Sequence, residues 1–241
     1  MHSTEHLGPR IIMSIFDGKI MITETVFFAM IVAAAMIVFA FVSTRKLERD
    51  PKGIQLIAEI IVDLIYKMTA TIIPKKNVEG YAPYIGTLFI FCMLANATGL
   101  LGFRPVTSDV NTAFALSLVT FVVIQGSSMH AHGFTGWIKH YGDPYPFMAP
   151  IMIIKDISLP ISLAFRLFGN ITGGMIIMAF LFKALHSATD GIGITIPFLH
   201  YLIPLPANLF FDVFEPVLQS FIFTTLTMAF ISMQLVVHED H

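Results

Sequence analysis

Residues 21–42 contain a single ionisable group, Glu24, near their start. Twenty-two residues in a helix reach about 33 Å, the thickness of a bilayer's hydrocarbon core. In lipid every backbone N–H and C=O must be bonded within the chain, so such a run has little choice but to be a helix. The rest of the chain is built the same way. Hydrophobic residues make up 56% and charged residues 12%, against a usual charged share of about 25%. These figures exclude a soluble globular domain. No basic run points to nucleic acid, and the net charge is −2. The lone Cys92 excludes a disulfide framework and a cysteine metal site. The opening MHSTEHLGPR lacks the basic start and small-residue cleavage site of a signal peptide.

The residues predict an all-α integral membrane protein, read as one membrane domain over 1–241. The first crossing is 21–42. Arg45, Lys46, Arg49 and Lys52 follow it and place that end in the cytoplasm, hence the amino terminus outside. Residues 54–73 carry Gln55, Glu59, Asp63, Lys67 and Thr71 at every fourth position, a narrow polar stripe. This suits an amphipathic helix along the cytoplasmic interface, with a buried core helix as the alternative. Crossings are expected at 83–103, 112–128, 150–185 and 197–237, giving five embedded helices plus the interfacial one. The last would run about 60 Å if wholly helical, so it must tilt, break near Pro204 and Pro206, or both. Residues 129–146 read as a loop holding His130, His132, His140 and Asp143, and 186–193 as a polar turn. The carboxyl terminus, HEDH, is expected in the cytoplasm.

Within the fourth crossing, KDISLPISLAFRLFGNITGG (155–174), stands Arg166. Arginine keeps its proton in proteins, and a charge at membrane depth costs from about 2.5 to above 10 kcal/mol. Ser162, Arg166 and Asn170 are four apart and share a helical face. Gly169, Gly173 and Gly174 would let another backbone approach. Snorkelling to the headgroups is the plainer account of the arginine. The last crossing has its own costly line, Asn208, Asp212, Glu215 and Gln219, at steps of four, three and four. Such residues at membrane depth mark ion paths or proton relays; neutralising Arg166 is the simpler role. Pro216 leaves the Asp212 carbonyl without its helical donor.

The motifs SLAFRLFGNITGG (162–174) and VLQSFIFTTLT (217–227), with SDVN at 108–111, resemble subunit a of the rotary F-type ATP synthases. The resemblance covers most of the chain. It implies an ion-translocating, non-catalytic subunit in a bacterial plasma membrane. Its partners would be lipid, a ring of c subunits that each carry a carboxylate, the b-subunit peripheral stalk, and transported H+ or Na+. Arg166, Asn170 and Gln219 match the family's arginine, asparagine and glutamine; Asp212 matches a histidine or glutamate. Met175 stands where many members carry an acid or histidine, nine residues past the arginine, and Glu215 is the candidate to replace it. The resemblance also implies two half-channels; the outer is read along Asn170, Asp212, Glu215 and Gln219, with Asn208 on the same polar line, and Asp156 with Ser162 is the candidate for the inner exit. No cofactor is implied, and no phosphate-binding loop is present, so ATP chemistry belongs to partner subunits. Two other classes compete: an intramembrane metal-dependent enzyme using the histidines at 130, 132 and 140 with Asp143, and a self-contained secondary transporter, which would show internal repeats.

Overall fold

The computed structural model describes residues 11–15, 20–45, 47–141, 145, 147, 149–192 and 204–236. It is helical, as expected, apart from one hairpin that the all-α reading did not foresee. Strands β1 (Ile11–Ile15) and β2 (Ile20–Thr23) pair antiparallel, Ile11 opposite Thr23 and Ile15 opposite Ile20. Isoleucine-rich segments favour extended backbone.

Helix α1 (Glu24–Thr44) follows at once. Thr23 caps it, its Oγ1 accepting from the Val26 N–H at 3.4 Å, and Glu24 sits in the positively polarised first turn. The helix is apolar all round and mostly bare, with Ile37 69% exposed, which suits lipid rather than water. Its start is tied to the bundle by Thr25, which is buried and donates to Asp109 Oδ2 at 2.8 Å. Asp109 in turn caps α4 (Val110–His140), accepting from the Asn111 N–H at 3.0 Å.

Helix α2 (Ile54–Ile72) follows Gly53, whose φ of 61° is one that glycine adopts without penalty. Its polar stripe is divided. Glu59, Asp63 and Lys67 are exposed, and Asp63 pairs with Lys67 at 2.7 Å, a surface bridge worth little. Gln55 is instead buried, bonding both the N–H and the carbonyl of Glu48 and so fastening the preceding loop.

Helix α3 (Val78–Ala97) runs from the basic end, near Lys75 and Lys76, to the Asp109 end. Helix α4 returns, α5 (Ala149–Ile192) goes out again, and the last segment comes back. Three expectations change here. Helix α4 does not stop at 128 but continues to His140 across a kink at Gly133, so His130, His132 and His140 lie on helix rather than loop. Helix α5 extends to Ile192 in place of a turn from 186. The irregularity in the last segment lies at 210–214: α6 (Pro204–Leu209) passes through a π-helical turn, Phe210–Phe214, into α7 (Glu215–Val236). Pro216 explains the place, because its missing N–H breaks the α ladder there. Residues 193–203, including the start of that crossing, lie outside the described residues, as does HEDH.

Among the described residues four stretches are long and apolar enough to cross a membrane: Glu24–Thr44, Lys75–Leu101, Val110–Ile138 and Pro204–Leu235. Helix α5, 44 residues long and carrying Lys155, Asp156, Arg166 and Lys183, is not among them. Helix α7 packs on α2, α3, α4 and α5. Its Phe223 meets Leu88, Cys92, Leu163 and Leu167; nearer the basic end Met228 and Ile231 meet Ile73, Ile85 and Ile124. Fully burying one such side chain contributes about 1.5–3 kcal/mol relative to water. In a membrane, tight packing takes over that role.

Candidate functional site: an arginine near a polar cavity

Two faces of α5 do different work. Leu163, Leu167 and Ile171 are buried in the bundle, while Ser162, Phe165, Gly169 and Asn170 are exposed. Arg166 is half-buried at the edge of that bare face. It makes no hydrogen bond or ion pair among the described residues, so Asp212 and Glu215 do not neutralise it. A side chain at Gly169 or Gly173 would meet nothing of this chain within 4 Å.

One turn from the arginine, Asn170 Nδ2 donates to Gln219 Oε1 at 2.6 Å. Gln219 is 1% exposed, and its Nε2 has no partner. The two predicted polar lines therefore meet at this pair. Ser162 makes no hydrogen bond among the described residues.

Beyond the pair, towards the Asp109 end, lies a cavity of about 210 Å³, room for several waters. Asn208, Asp212 and Glu215 line it, with Met175, Asn96 and Gly99. Sequence reasoning missed the last two. Asn96 is buried, accepts a hydrogen bond from Thr107, and leaves its Nδ2 without a partner among the described residues. The available signal was an amide in an otherwise apolar helix. Gly99 matters through what it lacks: a Cβ there would sit 4.0 Å from Asp212 Oδ1. Neither Asp212 nor Glu215 has a hydrogen-bond or ion-pair partner among the described residues. Gln219 does not line the cavity. It lies one turn beyond Glu215 on α7, about 6 Å further along the axis.

Gly174 holds the cavity open. A Cβ there would meet Phe211 Cδ1 at 2.8 Å and Glu215 Oε2 at 3.1 Å. We expect Gly174→Val to push both side chains into the cavity and cut ion flux through the assembled membrane sector by tenfold or more, as measured by dye quenching in vesicles. Gly173→Val, on the open face, should leave the cavity and its carboxylates in place.

Asp156 lies at the basic end, where its Oδ2 accepts from Gln125 Nε2 at 2.8 Å and from Tyr141 Oη at 2.7 Å. No hydrogen bond joins it to Ser162. Among the described residues no three His, Cys, Asp or Glu gather as metal ligands; Asp143 and the His140 side chain lie outside them.

The family model described as ATP synthase A chain matches residues 26–232. The chain belongs to that family. It is 32% identical to ATP synthase subunit a of Moorella thermoacetica over 216 residues, 89% of this chain and 92% of that one. To subunit a of Aliarcobacter butzleri it is 34% identical over 218 residues, 88% and 89% of the two chains. The ATP synthase subunit a, chloroplastic, of Stigeoclonium helveticum is 29% identical over 221 residues, 87% of this chain and 82% of that one. As a member of this family with four apolar crossings, the chain is a multi-pass integral membrane protein, and the arginine, the Asn170–Gln219 pair and the cavity fall inside the matched region.

Proposed function

We propose that this chain is the stator subunit that carries ions to and from the carboxylates of a c-subunit ring in an F-type ATP synthase, while catalysis stays with partner subunits. The observation that carries the reading is Arg166, a half-buried, permanently charged group on a bare face with no counter-charge among the described residues. A partner must supply one. A ring carboxylate fits, because it faces lipid only when neutral and meets the guanidinium when its ion leaves. Gly169 and Gly173 leave space for a small-residue helix to approach.

The Asp212–Glu215 cavity then serves as the outer path, with Glu215 replacing the acid absent at Met175, and Asn208 and Asn96 holding water along it. Asn170 and Gln219 close its inner end against the ring. Asp156, with Ser162 on the bare face, belongs to the inner path. Arg166 stands between, and its charge opposes direct passage of a cation. The basic residues from Arg45 to Lys76 put the Asp156 end in the cytoplasm, with α2 lying at that interface. The b-subunit stalk and lipid cover the bare flanks of α1. The transported ion is H+ or Na+, and the membrane is a bacterial plasma membrane.

A cysteine placed at Gly169 should cross-link to a small ring subunit in oxidised membranes, while one at Ile37, on the bare side of α1, should not. Ring cross-links from Ile37 but none from Gly169 would reject the docking face. The buried Cys92 leaves the background low.

A further inference from the structure

Helix α4 does something its sequence does not announce. On an unbroken helix residues 125 and 137 would lie about 18 Å apart along the axis. In the structure Trp137 Nε1 donates to Gln125 Oε1 at 3.1 Å. The cause is Gly133, with φ 69° and ψ 169°, which reverses the chain. The segment after it folds back along α4 towards α5. Trp137 and Tyr141 then pack edge to face, ring centroids 5.4 Å apart, and the Tyr141 hydroxyl reaches Asp156.

The direction of each bond is fixed by chemistry. An indole N–H only donates, so it selects the oxygen of Gln125 and turns that residue's NH2 outward. The NH2 donates to Asp156 Oδ2, which also takes the tyrosine hydroxyl. Oδ1 of Asp156 takes no hydrogen bond among the described residues. Burial, then Asp156 itself, pushes the Tyr141 phenol up to about 12, so it stays a donor wherever the protein works. Lys155, the neighbour of Asp156 on α5, is exposed.

We propose that Trp137, Gln125 and Tyr141 are positioning residues that pin Oδ2 of Asp156 and leave Oδ1 as the oxygen that exchanges the ion with the cytoplasm. This rests on the reading of Asp156 as part of the inner path. Two donors on one oxygen hold the group in one rotamer, so the free oxygen always faces the same way. Without them the carboxyl is free to turn.

The test uses the whole complex in inverted vesicles and follows ATP-driven pumping as a function of pH. Tyr141→Phe keeps the ring against Trp137 and deletes only the donor; Trp137→Phe keeps an aromatic ring and frees the Gln125 amide to flip. Both should slow pumping and alter its pH profile, Tyr141→Phe more than Trp137→Phe, because the first deletes a bond to Asp156 and the second only loosens one. In an Asp156→Asn background Tyr141→Phe should change nothing further. Profiles superimposable on wild type in either assembled variant, or a Tyr141→Phe shift that persists in the Asp156→Asn background, would overturn the positioning role while leaving the inner path intact. Wild-type rate and profile in Asp156→Asn alone would remove Asp156 from the path and the proposal with it.

Discussion

Replacing Arg166 with alanine is expected to reduce ion-driven ATP synthesis to background in a fully assembled complex. The reasoning is electrostatic. The side chain is half-buried and has no counter-charge among the described residues, so on the proposed reading its cost at membrane depth, from about 2.5 to above 10 kcal/mol, is offset when a ring carboxylate comes opposite. Alanine removes that attraction, and a ring carboxylate then has no reason to release its ion at the stator. It also removes the barrier between the two paths, so passive ion leak should rise as synthesis falls. Arg166→Lys should lose at least tenfold. An ammonium is a compact charge without the planar fork, and it drops its proton more readily when desolvated. Rates of ATP synthesis after an imposed ion gradient, with ring content measured in the same vesicles, give the result. Synthesis near wild type in the alanine variant would end the assignment.

The second large effect is expected at the cavity. Asp212→Asn combined with Glu215→Gln preserves volume and removes both charges, and should lower outer-side ion entry by about a hundredfold, in the range of a lost proton-transfer group. Single variants should lose less, because both carboxylates line the same cavity and the remaining one would still be there to take up the ion. Met175 lines the same cavity. Adding Met175→Glu to the double variant should therefore restore part of the flux, since the new carboxylate enters the same water. Unchanged flux in the double variant, or no rescue by Met175→Glu where the charge loss is severe, would place the outer path elsewhere.

These two sites were unequally legible. Arg166 stood out because an arginine in an apolar run is costly wherever the helix turns. The cavity could be read only in part. Asp212 and Glu215 were visible as carboxylates at helical spacing, but Asn96 and Gly99 come from a different helix and the turn that follows it. Nothing in their local pattern says which face they meet. Gln219 was assigned to the same line as Asp212, and the packing of the last helix on α5 placed it instead against Asn170, with its side chain buried. The histidines at 130 and 132 were read as loop because polar residues and Gly133 interrupt the apolar run; the helix continues regardless and uses the glycine to reverse.

What the sequence determined by itself is what depends on length, hydropathy and charge along one segment: helical crossings, an amphipathic α2, and a charge whose cost demands a use. What only the tertiary structure decided is which faces meet. It left Arg166 without a partner among the described residues, joined Asn170 to Gln219, and brought Gln125, Trp137 and Tyr141 to Asp156. The reason is physical. Periodicity fixes a residue's angle around its own axis, but the rotation and depth of one helix against another follow from side-chain packing across the whole bundle, and a single π turn or reversed glycine resets the angle for everything that follows.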